Sequence, residues 1–471
     1  MYKVTIGNKR IEAKDGQLLS ELFIREGIFV EHPCGGMGTC KKCLVKVNGA
    51  EELSCRYRVT KDVTVELQEH EEIVSEIGGT AAEIDGPMSE GEYALVLDIG
   101  TTTLALAEVN LTQKKIARVI TATNPQRMFG ADVISRIEYC RRNSVEKLQE
   151  TLVAEINRLL FKLGIVSVQK LYVAGNATML HTLFGEDCSS LGVAPYTPVF
   201  LERRESTGAE LGIPVVKKLV SLPSVSTFVG ADIVAGMNFV GLPPKDKYYL
   251  FVDLGTNAEV VLYSKDIALC TAAAAGPCFE GANISCGMSA TPGAVSAVSL
   301  GVQGRMIYET IGDVPAKGIC GTGLVDLVAA LCEAGEIDET GYMECAEFKV
   351  AECVVFTQGD IRQYQLAKSA VCSAIQALMK MQEISYDQIE KLYISGGFST
   401  KINVSNAVKT GLLPKELLGR CEAIGNSSLL GTVKYACEQN DLSVYLAHAR
   451  YVDLAANAYF AELFMENMEF I

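Results

Sequence analysis

The sequence predicts an α/β protein in two parts: a small N-terminal domain built around four cysteines, then a larger body of two α/β lobes. Three observations carry that expectation. The stretch "HPCGGMGTCKKC", His32 to Cys43, places three cysteines and three glycines in twelve residues. Two apolar strands, "YALVLDIGTTT" and "YYLFVDLGTN", each end in Asp-x-Gly-Thr, about a domain's length apart. A late strand, "KLYISGGF", ends in paired glycines.

Composition narrows the function classes. A chain of 471 residues predicts two to four domains with room for buried cores. Hydrophobic residues make up 49% and charged residues 21%, the balance of a globular protein. The net charge of −15, with no run of Lys or Arg, argues against a nucleic-acid binder, since phosphate backbones demand clustered cations. "MYKVTIGNKRIEAKDG" holds no apolar core of signal-peptide length, and no uncharged run of membrane-spanning length follows. The expected location is cytoplasmic, with no membrane partner. Disulfides are rare in that compartment, so clustered cysteines there point to metal or redox chemistry.

At the N-terminus, "YKVTIG" and "RIEAK" alternate as the strands of a hairpin, and "GQLLSELFIREGI" has the period of a short amphipathic helix with Leu18, Leu19, Leu22, Phe23 and Ile24 on its apolar side. "CLVKV" and "DVTVEL" supply two more alternating strands. Cys34, Cys40 and Cys43 are spaced C-x5-C-x2-C, and Cys55 follows alone in "ELSCRYRV". Four thiolates of related spacing hold plant-type 2Fe–2S clusters. Structural zinc, which favours two C-x2–4-C pairs, is the main competitor, and a disulfide stands behind both. The glycines allow the sharp, left-handed bends of a loop that wraps a metal cluster. The other twelve cysteines lie mostly in apolar runs, as Cys332 and Cys372 do, and read as small hydrophobes. Hairpin, helix, cluster loop and closing strands together resemble the β-grasp ferredoxin fold over residues 1–68.

Residues 69–92 are acidic and lack a sustained hydrophobic period, so they read as a linker. A flexible segment of that length reaches roughly 25–30 Å, enough for the N-terminal domain to visit more than one surface. The alternative is an ordered arm packed on the body.

The body begins at the strand–turn–strand "YALVLDIGTTTLALAEVN", whose turn carries Asp98, Gly100, Thr101 and Thr102. "YYLFVDLGTNAEVVLYS" repeats it with Asp253, Gly255, Thr256 and Asn257. Such turns suit phosphate: glycine admits close approach, amides and hydroxyls donate, and the aspartate positions Mg2+, usually through its waters. One such turn also fits an ordinary hairpin; two, each after an apolar strand, favour nucleotide work. Gly396 and Gly397 would let backbone approach a flat nucleoside. Gly321 and Gly323 open a helix in "GICGTGLVDLVAAL", whose N-terminal amides suit a phosphate or ribose, although a capped core helix explains them nearly as well. "MFGADVISRI" is echoed by "FVGADIVAGM". His181, in "NATMLHTLFG", is weighed as a core histidine against a cofactor ligand, and Cys278 and Cys286 as core thiols against a cluster between subunits.

The two turns and the late glycines, in this order, resemble the ASKHA superfamily of sugar and acetate kinases, heat-shock ATPases and actin, over residues 93–471. Lobe I would span residues 93–244 and lobe II 245–471. The four cysteines together with "NPQRMFGADVISRI", "VAGNATMLHTLFG", "FVDLGTNAEVVL", "AAGPCFEGANISCGM", "GICGTGLVDLV" and "SGGF" resemble the reductive activators of corrinoid proteins. The resemblance implies an ATP-hydrolysing electron-transfer activator of anaerobic metabolism. It would return the Co(II) corrinoid of a methyltransferase system to Co(I), using a 2Fe–2S cluster on Cys34, Cys40, Cys43 and Cys55, with ATP and Mg2+ at Asp98 and Asp253. It also implies an upstream electron donor and admits a homodimer. Longer activators carry a middle domain for which the linker leaves no room. The competing readings are an activator like those of 2-hydroxyacyl-CoA dehydratases, and a small-molecule kinase with an accessory ferredoxin domain.

Overall fold

The computed structural model describes residues 1–30, 32, 38, 43–67, 92–301, 306–397 and 399–470. Cys34, Cys40, residues 69–91 of the linker and Phe398 lie outside the described residues.

The N-terminal segment forms a mixed sheet in the order Lys9–Ala13, Tyr2–Ile6, Val63–Glu66, Leu44–Val47, Ala50–Leu53. Tyr2–Ile6 and Val63–Glu66 run parallel, and the other pairings are antiparallel. Alternation puts Val4, Ile11, Val45, Val47, Val63 and Val65 on the inner face, where they share a core with Leu19, Leu22 and Phe23 of the helix Leu19–Arg25. This is the β-grasp arrangement. The hairpin, the helix and both closing strands stand where the sequence expected them. The edge strand Ala50–Leu53 was not foreseen, because "AEEL" is nearly all exposed and lacks an apolar period.

Two larger sheets follow. In one the order is Lys115–Thr123, Thr103–Asn110, Tyr93–Ile99, Val168–Gly175, Val216–Ser221, Glu205–Ser206. In the other it is Cys421–Gly425, Ile389–Ser395, Tyr248–Leu254, Ala258–Tyr263, Ala268–Ala273, Ala449–Tyr451. Counted within each sheet, the five principal strands follow the same order, 3-2-1-4-5. In both sheets the Asp-x-Gly-Thr turn joins strand 1 to strand 2. The echoed "GAD" segments also correspond, since each opens a helix, Val133–Arg142 behind Asp132 and Ala231–Val240 behind Gly230.

By packing, the chain divides into one compact unit of Met1–Glu71, Leu97–Leu106 and Ile120–Ser221, and a second of Glu72–Val96, Ala107–Val119 and Leu222–Ile471. These units differ from the lobe boundaries expected from the sequence, because the N-terminal domain packs with part of the first lobe. Ile24 and Phe29 lie against a cluster of Met128, Phe129, Ile137 and Leu148.

Within the second unit, the helices Ala231–Val240 and Ser427–Glu438 approach so closely that a Cβ on Gly431 would collide with the Ala235 carbonyl. Gly431→Ala is therefore expected to cost about 1–3 kcal/mol and lower the thermal midpoint. Gly419→Ala, where a Cβ meets open space, should leave it unchanged in the same scan.

Candidate functional site

Three pieces of local geometry carry chemistry. The first is the thiol pair of the N-terminal domain. Cys43 and Cys55 are both buried, with sulfurs 3.2 Å apart. That is too far for a disulfide, whose sulfurs sit about 2.05 Å apart, and within the span of one metal ion bonded to two thiolates at about 2.3 Å each. The Ser54 amide donates to the Cys43 carbonyl at 3.0 Å, tying the two cysteines to one short corner. Gly38 has φ +74°, and a Cβ there would fall 2.5 Å from Arg56 Nε, so the loop takes the left-handed bend that only glycine fits at this approach. These residues fit an iron–sulfur cluster. Among the described residues no group of three or more His, Cys, Asp and Glu side chains is arranged to hold a metal.

His32 stands beside this corner and is almost fully buried, 3% exposed. Its Nε2 is 3.0 Å from Ser54 Oγ, its Nδ1 is 3.2 Å from the Met128 carbonyl, and its amide donates to the Arg127 carbonyl at 3.4 Å. Burial pushes the imidazole pKa down, against its backbone hydrogen bonds. A neutral ring facing a carbonyl with Nδ1 carries its proton there, leaving Nε2 to accept from Ser54.

The second piece is the Asp98–Thr103 turn. Asp98 is the last residue but one of the strand Tyr93–Ile99 and is 8% exposed. The Gly100 amide donates to the Thr103 carbonyl at 3.0 Å, and a Cβ on Gly100 would come within 2.7 Å of that oxygen. Donors behind the turn occupy its carbonyls. Asn124 gives its side-chain amide to Gly100 O at 2.8 Å and its backbone amide to Thr102 O at 2.8 Å. Arg136, fully buried, donates to Thr101 O at 2.5 Å, and Asn176 donates to Thr101 Oγ1 at 3.1 Å. A phosphate meets less repulsion at a turn whose carbonyls are engaged, and a buried guanidinium behind it adds positive potential. Asn124, Arg136 and Asn176 were quoted only as parts of motifs in the sequence. Their shared target becomes visible once the turn is folded, because it lies far from all three in the chain.

The third piece is the second turn. Asp253 sits opposite Glu259 in the antiparallel register, so two carboxylates share one face. Ser395 Oγ donates to Asp253 Oδ2 at 2.7 Å and lies 2.7 Å from Ser427 Oγ. Gly255 N donates to Asn257 O at 3.0 Å, and Thr256 donates to Glu280. Burial, then the charges of Asp253, Asp232 and Glu280, hold the Glu259 carboxyl well above the usual carboxylate range. Glu259 and Glu280 were not singled out from the sequence, although both lie in quoted motifs. Such crowding of carboxylates is relieved by a cation.

The glycines divide into two kinds. Gly396 has φ +108°, and a Cβ would collide with the Leu254 carbonyl of the neighbouring strand, whereas a Cβ on exposed Gly397 meets nothing within 4 Å. Gly321 and Gly323 are buried in the first turn of the helix Gly321–Glu333, where Cβ atoms would collide with the Phe279 and Val295 carbonyls. Close helix packing is the requirement these two meet.

His181 is a core residue: fully buried, it bonds the Ala177 carbonyl through Nδ1, accepts from the Val199 amide through Nε2, and stacks on Phe200. Cys278 lies in the apolar core with its thiol pushed up to about 12 by burial, while Cys286 accepts from the Val355 amide. A buried Cys278 does not fit a cluster shared between subunits. Against the expectation of small hydrophobes throughout, Cys345 and Cys353 are exposed. No described helix is long and apolar enough to cross a membrane.

Comparison with known proteins follows the same lines. Residues 247–471 match the family model described as the C-terminal domain of RACo, the ASKHA domain, and residues 93–245 match the RACo middle region. That middle-region model falls on the segment taken from the sequence as lobe I, which corrects the expectation that the chain leaves no room for the activators' middle domain. The chain is 26% identical to the corrinoid activation enzyme RamQ of Eubacterium limosum, over 98% of each. It is 24% identical to the [Co(II) methylated amine-specific corrinoid protein] reductase of Methanosarcina barkeri, over 72% of this chain and 68% of that protein. A solved structure, the reductive activator for corrinoid, iron–sulfur protein, superposes with a TM-score of 0.73 at 25% identity, covering 100% of this chain and 98% of that one. With both models of one family matching end to end across the body, and relatives aligned over almost its full length, the chain belongs to the RACo family of corrinoid reductive activators.

Proposed function

We propose that this protein is an ATP-dependent reductive activator that passes one electron to the Co(II) corrinoid of a methyl-carrying protein and restores Co(I). The observation that carries the reading is the coexistence in one chain of a paired-thiol corner that fits iron and two Asp-x-Gly-Thr turns at equivalent positions of two like sheets. The two relatives, a corrinoid activation enzyme and a Co(II) corrinoid protein reductase, support it.

In this reading residues 1–68 are the electron-carrying domain, 69–92 the linker, 93–244 the first lobe and 245–471 the second. Cys34, Cys40, Cys43 and Cys55 hold a 2Fe–2S cluster, which supplies one electron at a time at about −400 mV if it resembles plant-type centres. Thr101 and Thr102, together with the backbone amides of Thr256 and Asn257, donate to phosphate oxygens, with Gly100 and Gly255 keeping those turns tight. Asp98 and Asp253 orient the waters of Mg2+, in keeping with the habit of that ion of retaining several waters. Ser395 holds the Asp253 carboxylate in place. Gly396 and Gly397 leave room for the nucleoside, and Gly321 and Gly323 set the helix start beside it.

Each 59 mV or so by which the corrinoid lies below the donor costs about tenfold in the one-electron equilibrium. Nucleotide offsets that shortfall only if the activator engages its target differently in different nucleotide states. The decisive experiment mixes the iron-loaded protein, a chemical reductant and a Co(II) corrinoid protein. Cob(I)alamin absorbance should rise only when ATP is present, and the corrinoid protein should stimulate ATP hydrolysis. Equal reduction without nucleotide would remove the reading.

A further inference from the structure

One continuous set of hydrogen bonds joins the Asp98–Thr103 turn to the thiol corner. It starts at Asn124, which binds the carbonyls of both Gly100 and Thr102 at 2.8 Å. The same residue caps the short 3-10 turn Pro125–Met128, accepting the Gln126 amide at 3.0 Å on its side chain. The far end of that turn presents the Arg127 and Met128 carbonyls to the amide and Nδ1 of His32. His32 Nε2 then meets Ser54 Oγ. Ser54 precedes Cys55 directly and bonds the Cys43 carbonyl, so it touches both described cluster cysteines through the backbone.

The environment of this set is dry and stiff. Asn124 and Ser54 are fully buried, and His32 nearly so. Phe129 and Met128 pack with Ile24 and Phe29 on the same seam, which presses the 3-10 turn against the N-terminal domain. Buried polar groups that are fully satisfied hold one geometry, and displacing one member leaves its neighbours unpaired at a cost each must share. A 3-10 turn capped at one end by Asn124 and held at the other by His32 transmits a displacement more readily than it absorbs one.

We infer that His32 is a positioning residue that links the first phosphate turn to the thiol corner, so that nucleotide at the turn and the redox state of the cluster bias one another. The link rests on the proposed function for its two ligands, and it adds what that reading lacks: a route inside the chain by which ATP reaches the electron donor as well as the electron acceptor. A phosphate drawing on the turn's amides shifts the carbonyls that Asn124 holds. Asn124 carries the 3-10 turn, and the Met128 carbonyl carries His32 and with it Ser54. In the reverse direction, charge added at a cluster held by Cys43 and Cys55 would act on the Cys43 carbonyl that the Ser54 amide holds, and so on the same set.

Linkage makes this testable without any corrinoid. If nucleotide shifts the cluster between its oxidised and reduced states, the two redox states must differ in nucleotide affinity by the same factor. The iron-loaded protein is titrated with a non-hydrolysable ATP analogue in its oxidised and reduced forms. We expect affinities that differ by about fivefold or more, the lower end of ordinary coupling between sites. In His32→Phe the ratio should collapse to about one, with the affinity of the oxidised form little changed, whereas His32→Gln, which keeps a donor and an acceptor, should restore most of it. Ser54→Ala cuts the same link from the other side and should also collapse the ratio, so a failure of His32→Phe to load iron would not decide the matter. Equal affinities in the wild type, or a ratio preserved in both His32→Phe and Ser54→Ala, overturns the link while leaving ATP-dependent corrinoid reduction intact. Absence of nucleotide binding in either redox state overturns the proposed function and the link together.

Discussion

Asp253→Asn is expected to lower ATP turnover by about a hundredfold or more and leave the visible spectrum of the iron-loaded protein unchanged. The magnitude follows from removing one preorganised charge at a phosphoryl-transfer site, where single such groups carry about 10²–10³ in rate. The substitution is nearly isosteric, and the Asn carbonyl still accepts the hydrogen bond from Ser395, so the strand end keeps its shape. What disappears is the charge that, in the proposed function, orients hydrated Mg2+. Replacing one of two carboxylates set opposite each other also relieves Glu259, whose carboxyl Asp253 helps to hold above its usual range. The folded protein should therefore be no less stable, and a thermal scan run beside the kinetics checks this. Turnover within threefold of wild type would mean that Asp253 does not act on the nucleotide.

Cys43→Ser is expected to remove most of the iron and the visible absorbance, and with them all electron transfer, while ATP binding survives. The two sulfurs lie 3.2 Å apart in a buried corner, so both would hold the cluster of the proposed function, and neither thiol alone would replace the pair. A serine hydroxyl fits the space but is a poor ligand for a cluster that prefers soft thiolate. Cys372→Ser is the matched control. That thiol is buried and pushed up to about 12 by its burial, and its loss should leave iron content untouched. Full iron retention in Cys43→Ser would take that residue out of the ligand set. Iron and sulfide analysis separates this cluster from zinc, which the cysteine spacing alone leaves as a competitor.

Much of this arrangement is legible in the chain because it is local. Cysteine spacing, the glycines around it, and apolar strands ending in Asp-x-Gly-Thr are short-range patterns whose chemistry does not depend on distant residues. The strands Tyr93–Ile99, Tyr248–Leu254 and Ile389–Ser395 are fully or mostly buried, so their apolar runs announce them. The exposed edge strand Ala50–Leu53 has no such signal, and it forms through pairing with Leu44–Val47 alone. The site glycines show the limit from another side. Gly321 and Gly396 look alike in sequence, yet one meets a carbonyl of another segment inside a helix turn and the other bends a strand end at φ +108°.

The sequence by itself determined the candidate metal-binding cysteines, the two Asp-x-Gly-Thr turns, their order and the fold class. These follow from side-chain chemistry and from periods of two and 3.6 residues, which need no partner to be read. Only the tertiary structure decided which groups stand behind each turn. Asn124, Arg136 and Asn176 converge on Thr101 and its neighbours, Ser395 reaches Asp253, and His32 spans from Ser54 to Met128. Those meetings depend on strand order and on close helix packing, where a long-range pairing sets the distance. A hydrogen bond fixed by such pairing leaves no trace in the spacing of the residues that make it.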